Sequence, residues 1–121
     1  MYKDKSIAVV IPTFNDGTLL NDTLRGIPSY VDNIIVVNDG SKLETTDIIL
    51  ECSKVDGRIE CINHPENMGL GQSLIDGYVY ARKIKSDITA VMAGDNQMAP
   101  ADLENVIKPI VDEKFDYVKG N

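Results

Sequence analysis

Two unbroken aliphatic runs stand out in the chain. The first is Ile7, Ala8, Val9, Val10 and Ile11, closed by Pro12; the second is Ile34, Ile35, Val36 and Val37, closed by Asn38, Asp39, Gly40 and Ser41. Short runs without alternation suit strands covered on both faces. Further strands are expected over residues 59–62, 88–92 and 117–118. Between them the apolar positions recur at helical spacing. Leu19, Leu20 and Leu24 share a face over residues 18–25, which Gly26 and Pro28 end. Ile48, Ile49, Cys52 and Val55 do so over 45–55, with Ser41 or Thr45 available as a cap. Leu74, Ile75, Tyr78 and Ala81 align over 71–84, and Leu103, Val106, Ile107 and Ile110 over 101–111. Strand and helix therefore alternate, which predicts an α/β fold: a mostly parallel sheet of about five strands with helices on both faces. A chain of 121 residues makes one domain, 1–121.

Composition narrows the partners. A formal charge of -7 argues against a protein that neutralises nucleic-acid phosphates. Asp87, Asp102, Glu104 and Asp116, at strand starts or on helices, read as solvent-facing charges. Cys52 and Cys61 have no metal-ligand spacing and read as small buried residues. The apolar run at 7–11 is too short for a signal-peptide core or a membrane span, so a cytoplasmic location is expected.

Ligands of such sheets gather at the carboxyl ends of the strands. Those ends carry Pro12, Thr13, Phe14, Asn15 and Asp16 after the first strand, Asn38 to Ser41 after the second, and Gly94, Asp95, Asn96 and Gln97 after the fourth. Asp16, Asp39 and Asp95 thus converge on one edge. Helix capping is the plainer alternative for Asp39 and Asp95. After the third strand, Asn63 to Gly71 forms a turn-rich lead into a helix. Gly69 and Gly71 there allow close backbone approach, and the helix start favours an anion such as a diphosphate; a tight turn is the alternative. His64, a lone histidine before a proline, reads as a polar surface residue, and Met68, Met92 and Met98 read as packing residues.

The set Val10 to Asp16, Val37 to Ser41, Asn67-Met68-Gly69-Leu70-Gly71 and Met92 to Gln97 resembles the family 2 glycosyltransferases, especially their dolichol-phosphate-mannose-synthase-like branch. The motifs occur in family order and span nearly the whole chain. The resemblance implies a GT-A type, Rossmann-like, nucleotide-diphospho-sugar-binding half. Pro12, Thr13 and Asp16 would line the base and ribose pocket. Asp39, with Gly40 beside it, would accept an N–H from the base edge, which uracil and guanine both offer. Asn67, Gly69, Leu70 and Gly71 would complete the nucleotide site. The family's metal motif, Asp-x-Asp with a following Gln, falls on Ala93, Asp95 and Gln97. Asp95 and Gln97 would then hold a divalent cation, Mg²⁺ or Mn²⁺, with the donor's phosphates and water. Asn38 stands where many relatives carry another Asp.

By the same resemblance, the complete enzyme would transfer a sugar, with inversion, from a UDP, GDP or dTDP sugar. The acceptor would be a lipid phosphate or a glycan, as in cell wall or polysaccharide biosynthesis, and the enzyme would work at the inner face of the membrane. The acceptor region is expected beyond residue 121, so no catalytic base is assigned. This piece alone is expected to transfer nothing and to self-associate through uncovered apolar surface. Three rivals differ in specific residues. A receiver-like signalling domain needs adjacent acids after the first strand and a phospho-accepting Asp after the third, where this chain has Asn15-Asp16 and Asn63-His64. A sugar nucleotidyltransferase needs a basic glycine-rich loop where Pro12 to Gly17 lie. A non-catalytic nucleotide-binding module is kept open by Ala93.

Overall fold

The computed structural model describes residues 1–94 and Leu103. Strands and helices alternate as β1 (Ile7–Thr13), α1 (Thr18–Arg25), β2 (Asn33–Asp39), α2 (Leu43–Val55), β3 (Ile59–His64), α3 (Leu70–Lys83) and β4 (Ile88–Val91). The strands form one parallel sheet in the order β3-β2-β1-β4. The described residues hold four strands; the fifth, expected at 117–118, lies outside them. Most of the helix expected at 101–111 does too, although Leu103 is helical and fully buried in the core.

The aliphatic runs form the two central strands, and their side chains divide by pleat. Ile7, Val9, Ile11, Ile34 and Val36 pack on one face with Leu20 and Leu24 of α1 and Ile49 and Cys52 of α2. Ala8, Val10, Ile35 and Val37 pack on the other with Leu74, Tyr78 and Ala81 of α3. Every one of these strand residues is 0% exposed, and each fully buried Val or Ile is worth roughly 1.5–3 kcal/mol. The sheet core therefore dominates the stability.

β1 continues through Pro12 to Thr13, one turn of the pleat further than the sequence suggests. Even-numbered residues along β1 aim their backbone groups at the β4 side: Ser6, just before β1, accepts the N–H of Ile88, and Val10 accepts that of Met92, just past β4. The ladder with β4 ends at Val10, so the N–H that Pro12 lacks would have had no strand to meet.

The helices show where the apolar pattern misleads. Leu19 (47% exposed), Val55 (81%) and Ile75 (56%) lie off the buried faces that the spacing assigns them. In α3 the line against the sheet is Ser73, Gly77 and Ala81, with Leu74 and Tyr78 flanking it. Small residues bring this helix close: a Cβ on Gly77 would lie 2.3 Å from Cγ1 of Val10. Cys52 is buried as expected, but Cys61 is exposed, because β3 is the edge strand and is covered only in part.

Candidate functional site

The chain runs from β1 outward to β2 and β3 and then returns to place β4 on the other side of β1. That reversal sets the topological switch point at the carboxyl ends of β1 and β4, where ligands of open α/β sheets bind. Gly94, just past β4, is packed here. A Cβ on it would lie 2.6 Å from Asp16 Oδ2 and 3.1 Å from Thr13 Oγ1. Thr13 donates its hydroxyl to Asp16. Asp95 and Gln97 lie outside the described residues.

The loops along this edge are tied to one another. Ser41 and Thr45 do not cap α2, whose N-cap is Lys42 without a side-chain bond. Their hydroxyls instead accept the N–H groups of Asn15 and Gly17, at 3.0 and 3.1 Å, while Asn15 Oδ1 accepts the Lys42 N–H at 2.7 Å. Asn38, 4% exposed, donates through Nδ2 to Thr46 Oγ1 at 3.0 Å and Asn63 Oδ1 at 3.2 Å, and accepts the Ser41 N–H at 3.2 Å. A carboxylate here could not donate, so this network needs the amide.

Asp39 is a hub rather than a cap for α2. Its Oδ1 accepts the Met68 N–H at 2.7 Å and faces His64 Nδ1 at 2.8 Å; its Oδ2 accepts the Gly69 N–H at 3.0 Å. Part of the negative charge expected at the start of α3 is therefore Asp39 itself. A carboxylate has about four acceptor positions, and three are taken here, which leaves one on Oδ2. Burial pushes the Asp39 carboxyl up, but the His64 ring and the two amides outweigh it and hold it below the ordinary range. Gly40 lets the Glu66–Asn67 peptide cross directly over β2, where a Cβ would meet Asn67 N at 2.5 Å.

His64 and Asp76 were missed by sequence reasoning. His64 is buried, not a surface residue, and its Nε2 lies 2.6 Å from Asp76 Oδ2 on α3. The available signal was register: as the last residue of β3, His64 pairs with Asp39. Met68, expected to pack, is half-exposed on the turn that Asp39 holds.

Pro12, Thr13, Phe14, Asp39, Asn67, Gly69, Leu70 and Ser73 line one cleft of about 200 Å³. Asp16 joins it through Thr13, Gly40 lies beneath its loop, and Gly71 adjoins Leu70 at the start of α3. A larger hollow, about 450 Å³, is lined by Leu24, Arg25, Cys52 and Arg58 beside the first residue of β3, at the opposite edge of the sheet from these loops. Arg58 is occupied there, bonded to Asp56 and to the carbonyls of Pro28 and Val31.

The sequence profile described as Glycosyl transferase family 2 matches residues 8–121. The chain belongs to this family. A UDP-N-acetylglucosamine–dolichyl-phosphate N-acetylglucosaminyltransferase of Methanococcus voltae is 30% identical across 98% of this chain and 52% of its own length. An uncharacterized protein of Methanocaldococcus jannaschii is 36% identical, across 95% of this chain and 46% of its own length. The family 2 chain thus spans about half the length of these curated relatives. Among solved structures, the mannosyltransferase PcManGT of Pyrobaculum calidifontis, in complex with GDP-Man and Mn²⁺, superposes with a TM-score of 0.74 at 19% identity, over 92% of this chain and 34% of that one. The Mycobacterium tuberculosis glucosyl-3-phosphoglycerate synthase bound to Mn²⁺, UDP and its product gives 0.70 at 19% identity, over 90% of this chain and 40% of that one. The α/β architecture is that of the GT-A glycosyltransferases.

Proposed function

We propose that this family 2 chain holds the nucleotide of a nucleotide-diphosphate sugar in the cleft at the carboxyl ends of β1 and β2, against the start of α3. The observation that carries the reading is the cleft itself, which gathers Pro12 and Thr13 from the end of β1, Asp39 from the end of β2, and Asn67, Gly69 and Leu70 from the turn that opens α3. Two details support it. The remaining acceptor position on Asp39 Oδ2 suits an N–H from uracil or guanine. A Cβ on Gly71 would meet nothing within 4 Å, so packing does not require glycine there, whereas close approach of a diphosphate to the helix start would.

In the whole protein, Asp95 and Gln97 would hold a divalent cation. Bound there, it would stabilise the charge that develops on the leaving diphosphate. The acceptor class is taken from the M. voltae relative, named for dolichyl phosphate. A lipid phosphate is already ionised at neutral pH, so its oxygen can form the new bond to the anomeric carbon without a protein base, as the diphosphate oxygen leaves from the opposite face. Among the described residues no helix is long and apolar enough to cross a membrane. In this reading the site works from the cytoplasmic face, and the lipid acceptor brings it to the bilayer.

Thermal-shift screening of the full-length protein with UDP, GDP and dTDP sugars, with and without Mn²⁺, tests the donor site, and incubation with a lipid phosphate tests transfer. One donor class should stabilise the fold and be consumed. No stabilisation by any donor would sink the reading. Ala93, in place of the motif's first Asp, favours one alternative, a nucleotide-binding module without catalysis. Binding that ignores Mn²⁺, with no transfer to lipid or glycan, would select it.

A further inference from the structure

His64 sits where three elements meet, and its contacts define its charge. The ring is buried at the end of β3, with Asp39 Oδ1 of β2 at Nδ1 and Asp76 Oδ2 of α3 at Nε2. Ionised carboxylates only accept hydrogen bonds, so both nitrogens donate and the ring is an imidazolium. Asp76 is steadied in turn by Gln72, whose Nε2 donates to Oδ1 at 2.8 Å. On the other side, Asp39 grips the N–H groups of Met68 and Gly69. A continuous line of hydrogen bonds therefore runs from the body of α3, through His64 and Asp39, to the turn that walls the cleft.

We propose that His64 is a positioning residue for the nucleotide site: clamped as an imidazolium between Asp39 and Asp76, it fixes the Asp39 carboxylate and, through it, the Met68-Gly69 turn. This rests on the nucleotide reading of the cleft. A neutral ring keeps a single N–H, so loss of the proton leaves one carboxylate facing a bare nitrogen lone pair at hydrogen-bond distance. Asp39, buried and no longer opposite a cation, then holds the turn less firmly. Among the described residues, the charges acting on the ring are Asp39 from β2 and Asp76 from α3. The hydrogen bond to Asp39 raises the imidazole's pKa most, burial opposes it, and Asp76 adds to the rise, so the ring keeps its proton above its ordinary range. The site thus loosens on the alkaline side.

NMR of the full chain between about pH 5 and 9, spanning the range where imidazoles titrate, follows the ring nitrogens alongside the amides of Met68 and Gly69. His64→Gln assigns the ring signals. The two amides should shift with the ring's midpoint, and affinity for the tightest binder among UDP, GDP and dTDP should fall roughly tenfold across it, the equivalent of one hydrogen bond. Asp76→Asn should move that midpoint down, and His64→Gln should flatten the pH dependence of binding. If His64→Gln does not fold, Asp76→Asn carries the comparison, since that side chain is 30% exposed. Amides that ignore the ring, or nucleotide affinity that is level across its midpoint, would overturn the proposal. Coupled titration with no nucleotide bound at any pH would support the clamp and remove the nucleotide reading instead.

Discussion

Replacing Gly40 by alanine tests how the site loop is seated. Gly40 has φ 72°, and an added Cβ would lie 2.5 Å from Asn67 N and 2.6 Å from the carbonyl carbon of Glu66. Both are backbone atoms, so no side-chain rotation relieves the contact. Ordinary separations are about 3.5 Å, so the Glu66–Asn67 peptide must retreat by about 1 Å. The next two residues donate to Asp39 at 2.7 and 3.0 Å, and a shift of that size carries at least one of them out of hydrogen-bond range. A left-handed alanine costs about 1–2 kcal/mol and a lost hydrogen bond to a charged group about 1.5–3, so Gly40→Ala should destabilise by about 2.5–5 kcal/mol. Gly69 is the control. Its φ of 94° is also unsuited to a side chain, but a Cβ there meets nothing within 4 Å. Backbone strain alone, about 1–3 kcal/mol, is then expected for Gly69→Ala. Urea unfolding of both variants, with circular dichroism at constant pH, gives the comparison. Equal losses would show that the close crossing over β2 does not hold the loop.

Other substitutions separate packing from function. Gly71→Ala should leave stability unchanged or raise it by up to about 1 kcal/mol, because alanine is the better helix former, while weakening nucleotide binding in a titration. Asn38→Asp should lower the urea midpoint by the equivalent of about 1–3 kcal/mol at neutral pH, because an ionised carboxylate cannot donate to Thr46 or Asn63. Much of that loss should return below about pH 4, where the new acid regains a proton. Stability itself should show a plateau. The Asp39 contribution, from a lowered native pKa, is present above the unfolded value of about 4 and lost as pH falls through the native one. The His64 contribution, from a raised native pKa, is complete below the unfolded value of about 6.5 and lost as pH rises through the native one. Unfolding free energies should therefore be highest between about pH 4 and 6.5, and an alkaline decline that persists in His64→Gln would assign it to another group.

The strands were readable because their signal is local. Ile7 to Ile11 and Ile34 to Val37 are apolar without a break, which suits a sheet covered on both faces, and both faces are covered. That pattern, with polar turn residues and glycines placed after each strand, was enough to indicate the carboxyl edge and residues such as Pro12, Thr13, Asp39 and Gly69 that share the cleft. What the pattern missed depends on distance in space. Ile75 and Val55 follow helical spacing yet face solvent, while Gly77 and Ser73 lie against the sheet, because the depth of contact is set by the partner surface and not by hydrophobicity.

The same distinction runs through the site. Which strands form, and which loops carry the polar residues, follows from the chain's own order of apolar and turn residues. That His64 is a buried cation is different, since its charge comes from Asp39, 25 positions away on β2, and Asp76, 12 positions away on α3. Neither neighbour leaves a mark on the residues beside His64. Strand register and the close packing of α3 bring the two carboxylates to one ring, and only that convergence makes its second proton stable.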